Sequence, residues 1–367
     1  MHRRSYLRAA GAAVALGAGA GCLAGESDGD EAAKTVTTAT DDGDVTAETV
    51  ATGLEVPWGA AYLDGVLHLT ERPGRVVRIV DGSREVVAEF PDTATGGEGG
   101  LLGLAAHPDD PTVAYTYQTY DGGGRRNRIR RHDATDGWRA ETLLDGVPGS
   151  RIHDGGRLFV SPDEGALYAT AGDADRAEDA QDPAALNGKV LRLTLDGDPH
   201  PENPLDGPVF SYGHRNPQGL ATEGGRLYAT GHGPDTDDEI NRLEAGGNYG
   251  WPEVRGRERG ADGEFVPAIA SYTPTIAPGG LAVYPDDGPI AAWSGDLLFG
   301  TLAGTHLHRA ALGDGGVTDE RLFEDAFGRL RTTFVGPEGH LYATTSNRDG
   351  RGRPAAEDDR LLRVVPS

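Results

Sequence analysis

GGRLYATGHG, residues 224–233, decides the fold, because the chain repeats its pattern. A Gly-containing turn is followed by a short strand in which apolar and polar residues alternate, and the strand ends in Thr or Gly. EGALYATAGD at 164–173, EGHLYATTSN at 338–347 and DGVLHLTE at 64–71 are further copies, and PTVAYTYQTY at 111–120 and SGDLLFGTLAG at 294–304 are looser ones. Successive copies lie about 45 to 70 residues apart, room for four short strands and their loops. Six such units closing into a ring leave few free sheet edges. The pattern therefore predicts an all-β fold, a six-bladed β-propeller of four-stranded antiparallel blades, with a long β-sandwich as the alternative. Short helical turns are expected only near 181–187 and 239–245.

Composition agrees. Of 367 residues, 56 are Gly and 37% are hydrophobic, as suits many short strands joined by tight turns. The formal net charge is −24, and the only lysines are Lys34 and Lys189. Such a surface repels nucleic acid and anionic membranes. It is the kind that stays hydrated at high salt, so a halophilic protein is expected; an acidic mesophilic one is the alternative.

The single cysteine, Cys22, excludes an intrachain disulfide. Residues 1–22 read as a twin-arginine export signal, with Arg3 and Arg4 before a short small-residue stretch that ends in Gly-Ala-Gly-Cys. This predicts a lipid anchor at Cys22 on the extracellular face of the membrane; an incidental cysteine is the alternative. Residues 23–48 are acidic and Thr-, Gly- and Ala-rich, and read as a flexible linker. Residues 49–367 read as one propeller domain.

Five stretches exceed what strands require. GGEGGLLGLAAHPD at 96–109 carries Glu98 in a Gly-rich loop, either ligand-facing or solvated at a blade crossing. RIHDGGRLFVSPD at 151–163 offers His153 as a general base, or as a structural histidine. SYGHRNPQGLA at 211–221 groups His214, Arg215, Asn216 and Gln218; Arg215 supplies a donor fork for an anionic or quinone oxygen, or braces loops. GHGPDTDDEINRLEAGGNYGWP at 231–252 gathers Asp235, Asp237, Asp238 and Glu239 beside Gly and Pro carbonyls, hard donors suited to Ca²⁺, or simply acidic surface. FGRLRTTFVGPEG at 327–339 sets Arg329 and Arg331 two apart. At strand spacing they share a face and call for an anion there, a ligand's or a surface carboxylate's.

Taken in order, GLLGLAAHPD, HDGGRL, NGKVLRL, YGHRNPQGL, HGP with DDEIN, GGNYGWP, PTIAPGG and GRLR resemble the soluble aldose and glucose dehydrogenases that use pyrroloquinoline quinone (PQQ). The resemblance runs from about residue 53 to 347 and implies a six-bladed propeller that oxidises aldoses to lactones with PQQ and Ca²⁺. It implies His153 as general base and Arg215 and Asn216 at the quinone oxygens. Glu98 and Thr275 would lie beside the cofactor, and Arg329 and Arg331 would clamp its carboxylates. The carbonyls of Gly233 and Pro234 would hold a catalytic Ca²⁺, and Glu239 with the Tyr249 backbone a second, structural one. Ala303 and Thr273 depart from the glucose-oxidising branch, where a lysine and an aromatic stand, and point to the broader aldose type. Neither the sugar nor the external electron acceptor is specified. A lactonase-type calcium hydrolase and a non-enzymatic surface-binding propeller are the alternatives.

Overall fold

The structure is a computed structural model that describes residues 35–313 and 316–367. The export signal, Cys22 and the first part of the linker lie outside the described residues. Six antiparallel sheets follow one another along the chain. Blade 1 comprises Pro57–Leu63, Val66–Glu71, Arg75–Val80 and Ser83–Glu89. Blade 2 comprises Leu101–Ala106, Val113–Asp121, Arg125–Asp133 and Arg139–Pro148. Blade 3 comprises Leu158–Ser161, Ala166–Ala171, Lys189–Thr194 and Val209–Tyr212. Blade 4 comprises Pro217–Glu223, Arg226–Gly231, Asp238–Leu243 and Ala270–Tyr272. Blade 5 comprises Pro278–Val283, Leu297–Thr301, Leu307–Gly313 and Gly316–Leu322. Blade 6 comprises Leu330–Val335, Leu341–Thr345 and Leu361–Pro366, completed by Val45–Ala51. All six copies of the sequence repeat fall on the second strand of a blade. The first strands touch in the cyclic order 1–2–3–4–5–6–1, which closes the ring.

Blade 6 corrects the linker expectation. Residues 35–48 are not a linker. Thr35–Thr38 pairs with Val45–Ala51, from Thr35 opposite Glu48 to Thr38 opposite Val45. Val45–Ala51 in turn pairs with Leu361–Pro366, from Val45 opposite Pro366 to Ala51 opposite Leu361. The β-branched residues of TVTT and VTAETVA suit a pleated surface, and this pairing of the two chain ends closes the propeller. The helical turn expected at 239–245 is a strand, Asp238–Leu243, whereas a 3-10 turn occupies Ala177–Gln181, just before the other expected position.

The core lies between neighbouring blades. Leu102, Tyr115, Ile129, Leu167 and Leu191 fill the space between blades 2 and 3, and Tyr284, Trp293, Leu298, Leu341 and Leu362 that between blades 5 and 6. Only Val80 and Val86 are large apolar side chains left exposed among the described residues. Lys189 is fully buried, and its Nζ donates to the carbonyls of Asp179, Ala180 and Asn187. The described surface therefore carries no lysine.

Five of the six first strands contain a register shift near their start. Gln218 lies in the shift between Pro217 and Gly219, and Arg331 in that between Leu330 and Thr333. Such bulges re-aim side chains, here toward one mouth of the channel. Gly279 permits the packing, because a Cβ there would lie 2.1 Å from the Arg331 carbonyl oxygen.

Candidate active site

At that mouth is a cavity of about 400 Å³. Its wall combines residues that follow the second strands (Arg72, His232, Gly233, Leu302, Ala303 and Asp349) with residues just before or within the first strands (Glu98, His153, Arg215, Asn216, Arg329 and Arg331). Glu98, His153, Arg215, Asn216, Gly233, Pro234, Thr275, Arg329 and Arg331 all line it.

His153 has φ +58°, a left-handed conformation uncommon outside glycine. It is held from both sides. Its N–H donates to Glu98 Oε2 at 2.8 Å, and its carbonyl accepts from Ala174 N at 3.1 Å. A Cβ at position 172 would lie 2.1 Å from that carbonyl, so only Gly172 fits beneath it. The ring donates Nδ1–H to Asp173 Oδ1 at 2.7 Å. Asp173, buried, also accepts from Trp251 Nε1 at 2.9 Å and from Asp175 N at 2.9 Å. This fixes the tautomer and leaves Nε2 as the basic nitrogen.

Glu98 Oε2 also accepts from Asn216 Nδ2 at 3.3 Å, and Oε1 lies 3.3 Å from Arg351. Burial raises its carboxyl pKa, but the His153 N–H and the neighbouring His232, His153 and Arg351 outweigh this and hold it below the usual carboxylate value. Asn216 Oδ1 accepts from Gly155 N at 3.2 Å. Arg215 Nη1 donates to the carbonyls of Gly233 at 2.7 Å and His232 at 3.2 Å, and its guanidinium faces the Trp251 ring at 5.4 Å. Burial lowers its pKa.

The anion between Arg329 and Arg331 is internal. Asp349 Oδ2 accepts from Arg329 Nη2 at 2.8 Å and Nε at 2.9 Å, and from Arg331 Nη2 at 3.4 Å. Arg329 Nη1 donates to Leu302 O at 2.8 Å, and Arg331 Nη1 to Gln218 Oε1 at 3.1 Å. Burial lowers the Arg331 pKa to about 10, while the two arginines outweigh burial and depress that of Asp349. In all, five arginines (Arg72, Arg215, Arg329, Arg331 and Arg351) face two carboxylates, Glu98 and Asp349. The cavity is a cationic pocket in a chain of net charge −24. It can bind a polyanion and take up a proton at His153.

The acidic run splits in two: Asp238 braces loops, whereas Asp237 and Glu239 line one small void. Asp238 is fully buried and spent on backbone. It accepts from Gly233 N at 2.9 Å, Ile276 N at 2.6 Å, Ala277 N at 2.7 Å and Thr275 Oγ1 at 2.8 Å, bracing two cavity loops. Asp237 bonds Thr236 Oγ1 at 2.6 Å. Glu239 lies behind Gly233 and Pro234 in a small void of about 20 Å³ that Asn241 also lines. Glu239 accepts from Gly256 N at 2.7 Å and Asn241 Nδ2 at 2.9 Å, whereas Asn241 Oδ1 is buried without a partner. Tyr249 lines neither space; its ring stacks on His214 at 4.6 Å, and its hydroxyl donates to Arg242 O at 2.7 Å.

Arg72, Asp173, Asp349 and Arg351 were not singled out from the sequence. One signal was available for the first three: each follows the second strand of its blade within a few residues, the position that faces the mouth.

The family model described as Glucose / Sorbosone dehydrogenase matches residues 54–363. A solved PQQ-bound aldose sugar dehydrogenase from Streptomyces coelicolor is 36% identical, covers 91% of this chain and 98% of its own, and superposes with a TM-score of 0.78. A putative glucose dehydrogenase from Thermus thermophilus is 40% identical, covers 88% and 100%, and gives a TM-score of 0.79. Quinoprotein glucose dehydrogenase B of Acinetobacter calcoaceticus is 36% identical over 241 residues, 54% of this chain and 50% of that protein.

Proposed function

The chain belongs to the Glucose / Sorbosone dehydrogenase family, and on that premise we propose that it oxidises aldose sugars at the anomeric carbon to lactones, with PQQ as cofactor and His153 as general base. The observation that carries this reading is one cavity in which five arginines outnumber two carboxylates around an Asp173-held histidine. PQQ bears three carboxylates, and a trianion matches that charge excess. When bound, PQQ supplies the hydride acceptor.

The chain's own residues do the rest. Arg329 and Arg331 bind carboxylate, sharing Asp349 as their resting partner. Arg215 and Asn216 stand beside His153 and present donors to developing negative charge. His153 Nε2 takes the proton of the anomeric hydroxyl, and Asp173 stabilises the resulting imidazolium through Nδ1–H.

Two calcium positions belong to this proposal. Gly233 and Pro234 line the cavity and would offer backbone oxygens to a calcium, the Gly233 carbonyl accepting from Arg215 in this structure; two oxygens fall short of the six to eight that calcium takes, so an ion there would need further donors. The void at Glu239 fits a structural ion better, because Asn241 Oδ1 is an unpartnered buried oxygen beside a carboxylate. Export by the twin-arginine route, lipidation at Cys22 and adaptation to high salt complete the proposal; the lysine-free described surface supports the last.

The hydrolase reading is disfavoured. Both cavity carboxylates are engaged by arginine, and no cluster of three or more His, Cys, Asp or Glu among the described residues is arranged to hold a metal. The deciding experiment is dye reduction by the purified protein at high salt with PQQ, Ca²⁺ and a panel of aldoses, beside His153→Ala. Sugar-dependent reduction that needs PQQ and is lost in the variant supports the proposal. No reduction, together with no PQQ binding by calorimetry, refutes it.

A further inference from the structure

Behind the cavity wall lies a cation that the reaction as described does not use. Arg157 immediately precedes the first strand of blade 3 and is 7% exposed. Its Nε donates to Gln218 O at 2.8 Å, Nη1 to Trp58 O at 3.1 Å and Nη2 to Thr332 Oγ1 at 3.4 Å. Its guanidinium covers the Trp58 ring at 4.2 Å. These partners stand on the first strands of blades 4, 1 and 6. Gly280 in blade 5 is equally close, since a Cβ there would lie 2.8 Å from Arg157 Nη2. The side chain thus crosses the hub of the propeller.

Every one of these hydrogen-bond acceptors is neutral. Burial lowers the Arg157 pKa to about 9, and among the described residues the charged neighbour that acts on it is another cation, Arg331, which lowers it further. A buried charge without a counter-charge is costly, and a neutral side chain could brace the same strands more cheaply. Its neighbours explain the cost. Gln218 and Arg331, which bond each other at 3.1 Å, are both cavity-wall residues.

We propose that the uncompensated charge of Arg157, set one layer beneath Gln218 and Arg331, raises the affinity of the cavity for a polyanionic cofactor. A bound polyanion would supply the counter-charge that the hub lacks. At the effective dielectric of a protein interior, one charge acting across several ångströms is worth on the order of tenfold in binding. This inference rests on the PQQ reading above.

The test is calorimetric titration of PQQ onto the wild-type protein, Arg157→Met and Arg157→Lys, with the midpoint potential of the bound cofactor measured spectroelectrochemically. Met keeps length and loses charge, whereas Lys keeps charge and loses the donor fork. The expected result is PQQ binding weakened roughly tenfold in a folded Arg157→Met, with a lowered midpoint potential, and both values near wild type in Arg157→Lys. Wild-type affinity and potential in Arg157→Met overturn the inference and leave the PQQ reading standing. If Arg157→Met does not fold, Arg157→Lys decides: retained affinity supports a role for charge, and a tenfold loss assigns the residue to bracing alone. Failure of the wild-type protein to bind PQQ removes the proposed function and this inference with it.

Discussion

Asp173 Oδ1 accepts a hydrogen bond from His153 Nδ1 at 2.7 Å, which holds the imidazole by one ring nitrogen at the cavity wall. An acceptor on Nδ1 leaves Nε2 as the ring nitrogen free to take a proton, the role proposed for it. Asp173→Asn is expected to lower kcat by about 10²-fold or more while PQQ binding is preserved. Steady-state dye reduction paired with calorimetry checks both halves; wild-type turnover in the variant would contradict the assignment.

Asp349 holds Arg329 and Arg331 when no ligand does. Arg331→Ala is expected to weaken PQQ by about 1.5–3 kcal/mol, the worth of a charged hydrogen bond. Asp349→Asn should act oppositely on the two states. The free protein melts lower, because Arg331 loses its anion, yet added PQQ raises its melting temperature further than in the wild type. Differential scanning fluorimetry with and without PQQ reads this, and an equal PQQ-induced shift in both proteins would argue against Asp349 as an internal competitor.

The void at Glu239 and Asn241 predicts a stabilising ion. Calcium in large excess should raise the melting temperature of the cofactor-free protein. At a hundredfold excess over Kd the gain is about 2.7 kcal/mol. Glu239→Gln should abolish the gain. An unchanged response in that variant would move the ion elsewhere.

Asp154, beside His153, is 1% exposed, and burial raises its pKa from 3.8 to about 6. Its Oδ1 accepts from Ser150 N and Asn127 Nδ2, while Oδ2 has no partner. The folded state therefore holds the proton more tightly than the unfolded chain. This contribution is complete below about pH 4 and is lost as pH rises through 6. Asp154→Asn should be near neutral at pH 4 and stabilising by up to about 3 kcal/mol at pH 8. Denaturant melts at both values check it; equal effects at the two would refute the buried-charge account.

Lys189, the lysine of the propeller, should resist amine-reactive reagents in the native protein and react after unfolding. Intact-mass and peptide analysis distinguish the two states.

Much of the site was legible in the sequence because its residues stand in short polar stretches that exceed what strands require. His153, Arg215, Asn216, Arg329 and Arg331 were each singled out from a short polar stretch, and all five line one cavity. Asp173 ends a quoted repeat, and Arg72 follows another, yet neither was marked. A carboxylate after a strand reads as a turn residue until its partner is known, and here the partner lies 20 positions away. Residues 35–48 read as a linker for a related reason. A strand that closes a ring needs a partner from the other chain end, and local composition carries no trace of Leu361–Pro366.

The sequence by itself determined the propeller, its number of blades, and the cationic and histidine-bearing loops, because strand alternation, turn residues and repeat spacing are local properties of the chain. Only the tertiary structure decided which charges meet. Asp349 rather than a surface carboxylate stands between Arg329 and Arg331, Asp238 braces loops, and Arg157 lies at the hub without a counter-charge among the described residues. Those outcomes depend on closing the ring, which brings strands from distant blades within hydrogen-bonding reach and removes the water that would otherwise have neutralised their differences.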